Sequence, residues 1–229
     1  MPLGRWFVNK LAVIPARAGS TRLKNKNIYP LGGKPLIRWV TEAVVNSGCF
    51  DKILVSTDGD KIFDAVKDLP VERHVRPASL ATTKSTVLNA MLDLIEHSNV
   101  EYDVFSYFLP TCPFINCQDI QNGIRRIDKS DFVISMTEFS ETIQLACLIN
   151  NSNVIPVFDN LEIGATNSKF IKKYYKPSGA FYIGKWDKIL EYKNFFSGNV
   201  QAVIVPKERS IDINNHYDLL YAESVLKLR

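Results

Sequence analysis

A short apolar run that ends in a basic loop constrains the fold of this chain more than any other feature. Residues 11–15 (LAVIP) are apolar without a break, which is typical of a strand buried in a parallel sheet. Small residues then alternate with Arg17, Arg22, Lys24 and Lys26. Small residues let backbone N–H groups approach an anion, and arginine binds phosphate oxygens through two donors. A strand that ends in such a loop predicts a nucleotide site at the carboxyl edge of an open sheet.

This loop does not follow either standard phosphate motif. The patterns GxxxxGK[ST] and GxGxxG are both absent from it. An ordinary strand–helix turn with solvated charges is therefore the alternative interpretation. The density of cationic side chains directly after a buried strand favours the phosphate site.

Apolar runs alternate with segments of helical period along most of the chain. The sequence predicts strands at residues 11–15, 53–57, 104–109, 132–137, 179–183 and 200–205, and helices at 36–47, 60–68, 87–95, 119–129, 186–192 and 216–227. Residues 71–86 are predicted to be irregular. This order is typical of an α/β domain with a mostly parallel sheet, and we expect residues 1–229 to form one such domain.

The alternation weakens between about residues 138 and 176. Two apolar stretches, 145–149 and 154–158, flank a turn at Asn150-Asn151 and predict a β-hairpin. A polar, basic stretch then leads to Lys176. Such an insert is a lid, a dimerisation arm or a solvated excursion.

Charge and composition exclude several classes of protein. A net charge of +4 suits a small anionic substrate, but it is too weak and scattered to indicate nucleic-acid binding. The longest apolar runs are too short for a membrane span, and the first residues lack the apolar core of a signal peptide. The four cysteines have no CxxC spacing, so we expect buried free thiols in a cytoplasmic protein.

A second candidate site lies near the carboxyl end of the chain. Asp212 and Asn214 are two positions apart in the segment SIDIN, so in an extended backbone their oxygens point to the same side. A carboxylate beside another oxygen ligand suits Mg²⁺, which shares its remaining positions with water and substrate phosphates. A helix-entry turn is the alternative, because an isolated DxN is a weak signal.

Several motifs together resemble the bacterial CMP-sialic acid synthetases, also called acylneuraminate cytidylyltransferases. In family order they are IPARAGSTRLKNKNI, IRWVTEAVVNSGCFDKILVSTDGDKI, RPASLATT, LPTCPF, GAFYIG, NFF and SIDIN. The details LKNKNI, TEF…IQ and FYIG look more like the pseudaminic acid cytidylyltransferases. The KDO enzymes are a poorer match, because they carry GDEP where this chain has PTCP.

The resemblance implies a fold and an activity. It implies a Rossmann-like, mostly parallel sheet flanked by helices, of the nucleotide-diphospho-sugar transferase type, with a small excursion that builds a homodimer. Members couple CTP to a nonulosonic (sialic acid-like) sugar with Mg²⁺ as cofactor and release pyrophosphate, and their CMP-sugars serve surface glycan biosynthesis. No nucleic acid or membrane partner is implied.

The resemblance also gives roles to residues. It implies a CTP site of Ala16, Arg17, Ser20, Arg22, Lys26, Asn27, Arg76, Leu80 and Ala81. It implies a sugar site of Lys176, Ser178, Phe195 and Phe196, with the aromatic pair reaching across a dimer. Asp212 and Asn214 take the place of the metal ligands, and Arg17, Lys26 and Asp212 are the expected catalytic residues. The proton acceptor stays open between Asp212 and magnesium-bound water.

Three departures from the sialic acid type fall mainly on the sugar and metal side. Asn214 stands where the family has a second aspartate, Leu109 where it has a glutamine, and Lys176 where it has an arginine. These changes leave open which nonulosonic acid is used and whether metal binding is weakened. A nucleotide-binding relative with little catalysis and an enzyme for another α-keto acid sugar such as KDO are the alternatives, and a hexose-1-phosphate nucleotidyltransferase fits less well.

Overall fold

The computed structural model describes residues 9–167 and 171–228. Its strands are β1 (Lys10–Pro15), β2 (Pro30–Leu31), β3 (Lys34–Pro35), β4 (Lys52–Thr57), β5 (Glu72–Val75), β6 (Val104–Phe108), β7 (Phe132–Glu138), β8 (Cys147–Asn150), β9 (Asn153–Pro156), β10 (Tyr175–Lys185) and β11 (Val200–Ile204). Its α-helices are α1 (Leu36–Ser47), α2 (Asp60–Asp64), α3 (Val87–Glu96), α4 (Cys117–Ile127), α5 (Trp186–Tyr192) and α6 (His216–Lys227).

The central sheet of the described residues has seven strands in the order β11-β7-β10-β6-β1-β4-β5. β10 runs antiparallel to both of its neighbours, whereas the other paired strands are parallel. The predicted mostly parallel sheet flanked by helices is confirmed. In the sheet, β1 lies between β4 and β6. The chain leaves β1 towards β4 on one side, and it leaves β6 towards β7 on the other side. The loops at the carboxyl ends of β1 and β6 therefore diverge, and this is where open α/β sheets bind ligands.

Side chains of β1 point alternately into two hydrophobic cores. Ala12 and Ile14 pack with residues of α1 and α4, whereas Leu11 and Val13 pack with residues of α3 and α5. Both faces of the strand are thus covered, which explains its unbroken apolar run. The rigid sheet holds the end of β1, and with it the start of the basic loop.

A third, smaller core sets the direction of the Asp212 segment. Ile211 and Ile213 are 7% and 0% exposed and pack with Leu219 and Ala222 of α6. Burial of each isoleucine side chain contributes roughly 1.5–3 kcal/mol. Because neighbouring residues of an extended segment point to opposite sides, Asp212 is turned away from this core and towards the cleft described below.

The structure corrects three element predictions. Residues 71–86 are not irregular throughout, because residues 72–75 form the edge strand β5, whose polar sequence hides the strand pattern. The helix predicted to reach residue 68 ends at Asp64. The strand predicted at residues 179–183 begins already at Tyr175, inside the predicted excursion.

The predicted hairpin is confirmed as β8 and β9, but its two-residue turn lies at residues 151–152, one position after the predicted turn at Asn150-Asn151. Asn151 and Ser152 have φ angles of 45° and 68°, as a tight hairpin turn requires. Residues 168–170 of the predicted excursion lie outside the described residues. The four cysteines are free, and Cys112 is buried as predicted, whereas the other three are partly exposed. Among the described helices, none combines the length and apolar character of a membrane span.

Candidate active site

A polar cleft opens at the carboxyl ends of β1, β5 and β6. Its volume is about 250 Å³. It is lined by Pro15, Arg17, Ser20, Thr21, Arg22, Leu23, Lys26, Asn27, Arg76, Ser85, Val87, Leu109, Pro110, Thr111, Asp212 and Asn214. The two ends of the chain that the sequence singled out therefore meet at one place.

Backbone and side-chain hydrogen bonds hold the basic loop against the sheet. The Ala16 N–H donates to the carbonyl of Ser56 at 2.9 Å, which continues the pairing of β1 with β4. The Ala18 N–H donates to Asp58 Oδ1 at 2.7 Å, and the Asn27 amide donates to the Arg17 carbonyl at 2.8 Å. Asn27 is only 6% exposed, so its amide serves chiefly to close the loop.

Three cationic side chains of this loop converge on the cleft. Arg17 Nη1 donates to the carbonyl of Thr82 at 2.5 Å. Arg22 Nη2 and Lys26 Nζ both donate to Asn214 Oδ1, at 3.0 and 3.3 Å. Burial lowers the pKa of Lys26, and Arg22 lowers it further, while Asp212 opposes the change. A bound anion would stabilise the charged ammonium group of Lys26, which burial disfavours.

The acidic side of the cleft rests on α6 and on the loop after β6. The Ile213 N–H donates to the carbonyl of Thr111 at 2.8 Å. The Asn214 N–H donates to Asp218 Oδ2 at 2.8 Å, and the same carboxylate completes the capping box of α6. These bonds fix the Asp212 carboxylate, whose Oδ2 accepts from Asn214 Nδ2 at 2.8 Å. Asp212 Oδ1 is buried and has no hydrogen-bond partner.

The unpartnered oxygen of Asp212 is suited to a cation. Burying an acceptor without a partner is costly, and a ligand that donates to it or coordinates it would remove that cost. Among the described residues there is no cluster of three His, Cys, Asp or Glu that could hold a metal ion. Magnesium needs no such cage, because it binds through one or two carboxylates together with water and substrate phosphates. The Asp212 side therefore fits Mg²⁺.

Asn214 fits the predicted metal role less directly. Its side-chain oxygen accepts hydrogen bonds from Arg22 and Lys26, and its side-chain NH₂ group donates to Asp212. To coordinate a metal held by Asp212, the amide would have to turn and release Arg22 and Lys26. In the present arrangement Asn214 joins the basic loop to the carboxylate.

Arg76 forms the opposite wall of the cleft. It is 5% exposed, its Nε donates to Ser56 Oγ at 3.4 Å, and its Nη2 is buried without a partner. Burial lowers the pKa of Arg76, while Asp58 opposes the change and Arg17 adds to it. A buried guanidinium with a free donor is a binding group for a ligand oxygen.

Seven of the residues predicted for nucleotide and sugar do not line the cleft: Ala16, Leu80, Ala81, Lys176, Ser178, Phe195 and Phe196. Leu80 packs partly buried against the core on the α3 side. Ala81 lies close to the basic loop, since its carbonyl oxygen is 4.0 Å from the position of a Cβ on Gly19. Ser178 is 5% exposed, and its hydroxyl donates to Ser135 Oγ at 2.8 Å. Ala16 is buried at the end of β1.

The aromatic pair divides between core and surface. Phe195 is 2% exposed and packs edge-on against Tyr107, with ring centroids 5.3 Å apart. Phe196 is 60% exposed and available to a ligand or another chain. Lys176 is also exposed, with its ammonium group 5.6 Å from the ring centroid of Phe139.

The structure adds residues to which the sequence assigned no role. Asp58 directly follows β4 and binds the basic loop, and an acidic residue at the end of a parallel strand is the signal that could have found it. Gly179 has a φ of +82°, and a Cβ there would lie 3.5 Å from Cys112 Sγ and 3.8 Å from Asp212 Oδ2. These are ordinary contact distances, so the positive φ, and not a lack of space, favours glycine at this position.

Comparison with known proteins agrees with this geometry. The sequence profile of the family described as Cytidylyltransferase matches residues 11–193. The chain is 31% identical to the pseudaminic acid cytidylyltransferase of Campylobacter jejuni, over 96% of this chain and 97% of that protein. It is 32% identical to the CMP-N,N'-diacetyllegionaminic acid synthase of Legionella pneumophila, over 95% and 96%. It is 30% identical to the N-acylneuraminate cytidylyltransferase of Escherichia coli, over 94% of this chain and 51% of that protein.

Solved structures share the fold at lower identity. The CMP:2-keto-3-deoxy-manno-octonic acid synthetase complexed with CTP superimposes with a TM-score of 0.70 at 17% identity, covering 96% of this chain and 99% of that chain. The 4-diphosphocytidyl-2C-methyl-D-erythritol synthase of Anaerococcus prevotii gives a TM-score of 0.67 at 16% identity, covering 96% and 98%. The sequence matches over nearly the whole chain confirm the resemblance drawn from the motifs: the protein belongs to the cytidylyltransferase family.

Proposed function

We propose that this protein activates a nonulosonic acid with CTP, forming the CMP-sugar and pyrophosphate for surface glycan biosynthesis. One observation carries the proposal: a single cleft joins the cations Arg17, Arg22 and Lys26 to the buried, unpartnered oxygen of Asp212. A nucleoside triphosphate with a divalent cation has the charges that this arrangement complements. The names of the relatives, which are pseudaminic, legionaminic and N-acylneuraminic acid enzymes, support a nonulosonic acid as the sugar.

In the proposed reaction the cleft binds the triphosphate of CTP in an orientation that allows in-line attack. The anomeric hydroxyl oxygen of the sugar forms a bond to the α-phosphorus, and the bond from that phosphorus to the bridging oxygen of the β-phosphate breaks. Pyrophosphate leaves with the bonding electrons, and the hydroxyl proton passes to a base. Arg17, Arg22 and Lys26 would stabilise the charge on the phosphate oxygens, and positioning would supply much of the rate. Arg76 would bind on the cytidine side.

Magnesium is the proposed cofactor, and Asp212 is the residue that would hold it. When bound, the cation would neutralise phosphate charge and help to orient the triphosphate. Asn214 is the second predicted ligand, and its contribution would require a turn of its amide. Asp212 is also the one carboxylate among the residues that line the cleft, so it is a candidate to accept the proton.

We further propose that the protein forms a homodimer through the β8–β9 hairpin. The side chains of Leu148, Ile149, Val154 and Ile155 are 44–69% exposed. A cluster of exposed β-branched and leucine side chains on a two-stranded hairpin is typical of a surface that another chain covers. Exposed Phe196 and Lys176 are then available to a sugar bound near the dimer interface.

Pyrophosphate release tests the proposed reaction. The purified protein is incubated with CTP and Mg²⁺ and, in parallel, with N-acetylneuraminic, legionaminic, pseudaminic and KDO acids. We expect turnover with one of the three nine-carbon acids. Turnover with KDO alone would contradict the proposed sugar class.

Asn214 motivates a second candidate function, a nucleotide-binding relative with little catalysis. Its oxygen is bound by two cations rather than directed at a metal. Tight CTP binding without pyrophosphate release from any of the four sugars would favour this candidate.

A further inference from the structure

The buried guanidinium of Arg76 depends on a polar chain that reaches away from the cleft. Arg76 Nε lies 3.4 Å from Ser56 Oγ, and Ser56 Oγ lies 3.1 Å from His74 Nδ1. Ser56 is 1% exposed at the carboxyl end of β4, and His74 is half-buried on the neighbouring strand β5. His74 does not line the cleft, so its contact with the site is through Ser56 and Arg76.

The hydrogen-bonding capacity of these groups fixes the direction of the chain. Arg76 can only donate, so Ser56 Oγ must accept from it. The single hydroxyl proton of Ser56 is then free to be donated, and the neutral imidazole of His74 offers Nδ1 as its acceptor. A protonated imidazole carries N–H groups on both nitrogens, so its Nδ1–H would donate to the second lone pair of Ser56 Oγ instead of accepting from the hydroxyl. Two charged donors would then share the oxygen of Ser56, and the hydroxyl proton of this buried serine would lose its acceptor on His74.

We propose that neutral His74, acting through Ser56, is the positioning residue that holds Arg76 in its nucleotide-binding orientation, and that protonation of His74 weakens nucleotide binding. The inference rests on the proposed function in one respect, namely that the cleft binds a nucleotide. The free Nη2 of Arg76, buried and without a partner, is the donor that the chain presents to that ligand.

The charges around His74 support this role. Burial lowers the pKa of His74 below its usual range, and the Arg76 guanidinium lowers it further, while Asp93 on α3 opposes the change. Glu72, on the same face of β5, is paired with Lys52 of β4 at 2.8 Å. The neutral form therefore predominates at neutral pH, and protonation at lower pH places a second positive charge beside a buried guanidinium.

Calorimetric titration of CTP between pH 5.5 and 8 tests the inference with wild type, His74→Gln and His97→Gln. The CTP phosphates titrate equally in all three proteins, so differences between them isolate the histidine. His97 is a matched control, because its side chain is 76% exposed and it also contacts Asp93. As the pH falls below the pKa of His74, the CTP affinity of wild type and of His97→Gln should decrease by up to about tenfold per pH unit more than the CTP affinity of His74→Gln. Superimposable curves for wild type and His74→Gln would overturn the inference.

Two further measurements keep the test independent of one variant. Ser56→Ala should bind CTP about tenfold more weakly at pH 8, by loss of a hydrogen bond to a charged group, and should show the shallow pH dependence of His74→Gln. In wild type, saturating CTP should shift the NMR titration of the His74 ring to lower pH, and an unshifted titration would refute the coupling. Failure of wild type to bind CTP at pH 8 would overturn the nucleotide site as well, whereas binding with the expected pH dependence but without sugar turnover would leave this inference standing.

Discussion

Replacing Asn214 with aspartate tests whether Arg22 and Lys26 of the basic loop contact the CTP phosphates. It also tests whether position 214 is a metal ligand beside Asp212. In the present structure the Asn214 amide accepts from Arg22 and Lys26 and donates to Asp212. An aspartate would turn the first two contacts into ion pairs, and it would place a second carboxylate where a donor now lies 2.8 Å from Asp212 Oδ2.

The size of the effect follows from the exposure of the two cations. Arg22 is exposed, so its new ion pair would contribute only about 0.5 kcal/mol. Lys26 is half-buried, so its pair would contribute about 1 kcal/mol more than the present hydrogen bond. CTP must compete with both pairs for the same cations. The total of about 1.5 kcal/mol predicts roughly tenfold weaker CTP binding in the absence of metal.

Magnesium should have the opposite effect in this variant. Two adjacent carboxylates repel each other, and a divalent cation between them relieves that repulsion. We therefore expect Asn214→Asp to lower the Mg²⁺ concentration that gives half-maximal turnover, while CTP binding in EDTA becomes weaker.

The assay compares CTP affinity in EDTA with turnover across a Mg²⁺ series. Asn215→Asp is the matched control, because it adds the same charge one residue away and aspartate caps a helix as well as asparagine does. If Asn214→Asp and Asn215→Asp bind CTP equally well in EDTA, the two cations do not contact the phosphates. If their Mg²⁺ requirements also match, position 214 is not a metal ligand.

Three further variants test other parts of the site and the hairpin. Arg17→Ala should lower kcat/KM for CTP about a hundredfold, because it removes one fixed donor to the phosphates; unchanged kinetics would remove Arg17 from the site. Asp212→Asn should abolish Mg²⁺-dependent pyrophosphate release while CTP binding in EDTA persists, and a fully active variant would refute the metal assignment. Ile149→Lys should convert the proposed dimer to a monomer in light scattering after gel filtration, since it places a charge on the exposed hairpin; an unchanged mass would exclude this surface as the interface.

Much of the fold can be predicted from local patterns. α6 begins and ends where the sequence predicts, at residues 216 and 227, and α1 ends before Gly48, whose φ is 64°. These elements have strong apolar periods and clear terminal signals. The edge strand β5 has neither, because only one side of it is paired and its residues are mostly polar. Its sequence therefore does not distinguish it from a loop.

The charged side chains that line the cleft could be predicted better than the uncharged side chains that face it. Arg17, Lys26 and Asp212 reach the cleft as expected, because each belongs to a loop at the carboxyl end of a strand or before a helix. Ser178 and Phe195 have motif positions that suggest a sugar site, yet their side chains are buried in the protein. A motif indicates which residues lie near a site, but packing decides which side chains face it.

The sequence by itself determined the class of fold, the basic loop, the hairpin and the family, because each depends on short-range periodicity or on motifs read in order. Only the tertiary structure decided that Arg22 and Lys26 meet Asn214 across separations of 192 and 188 residues, and that His74 reaches Arg76 through Ser56. It also decided that β10 runs antiparallel between two parallel neighbours. The physical reason is that local patterns specify which face of an element is buried, whereas strand order and the direction of each side chain depend on contacts between residues far apart in the chain.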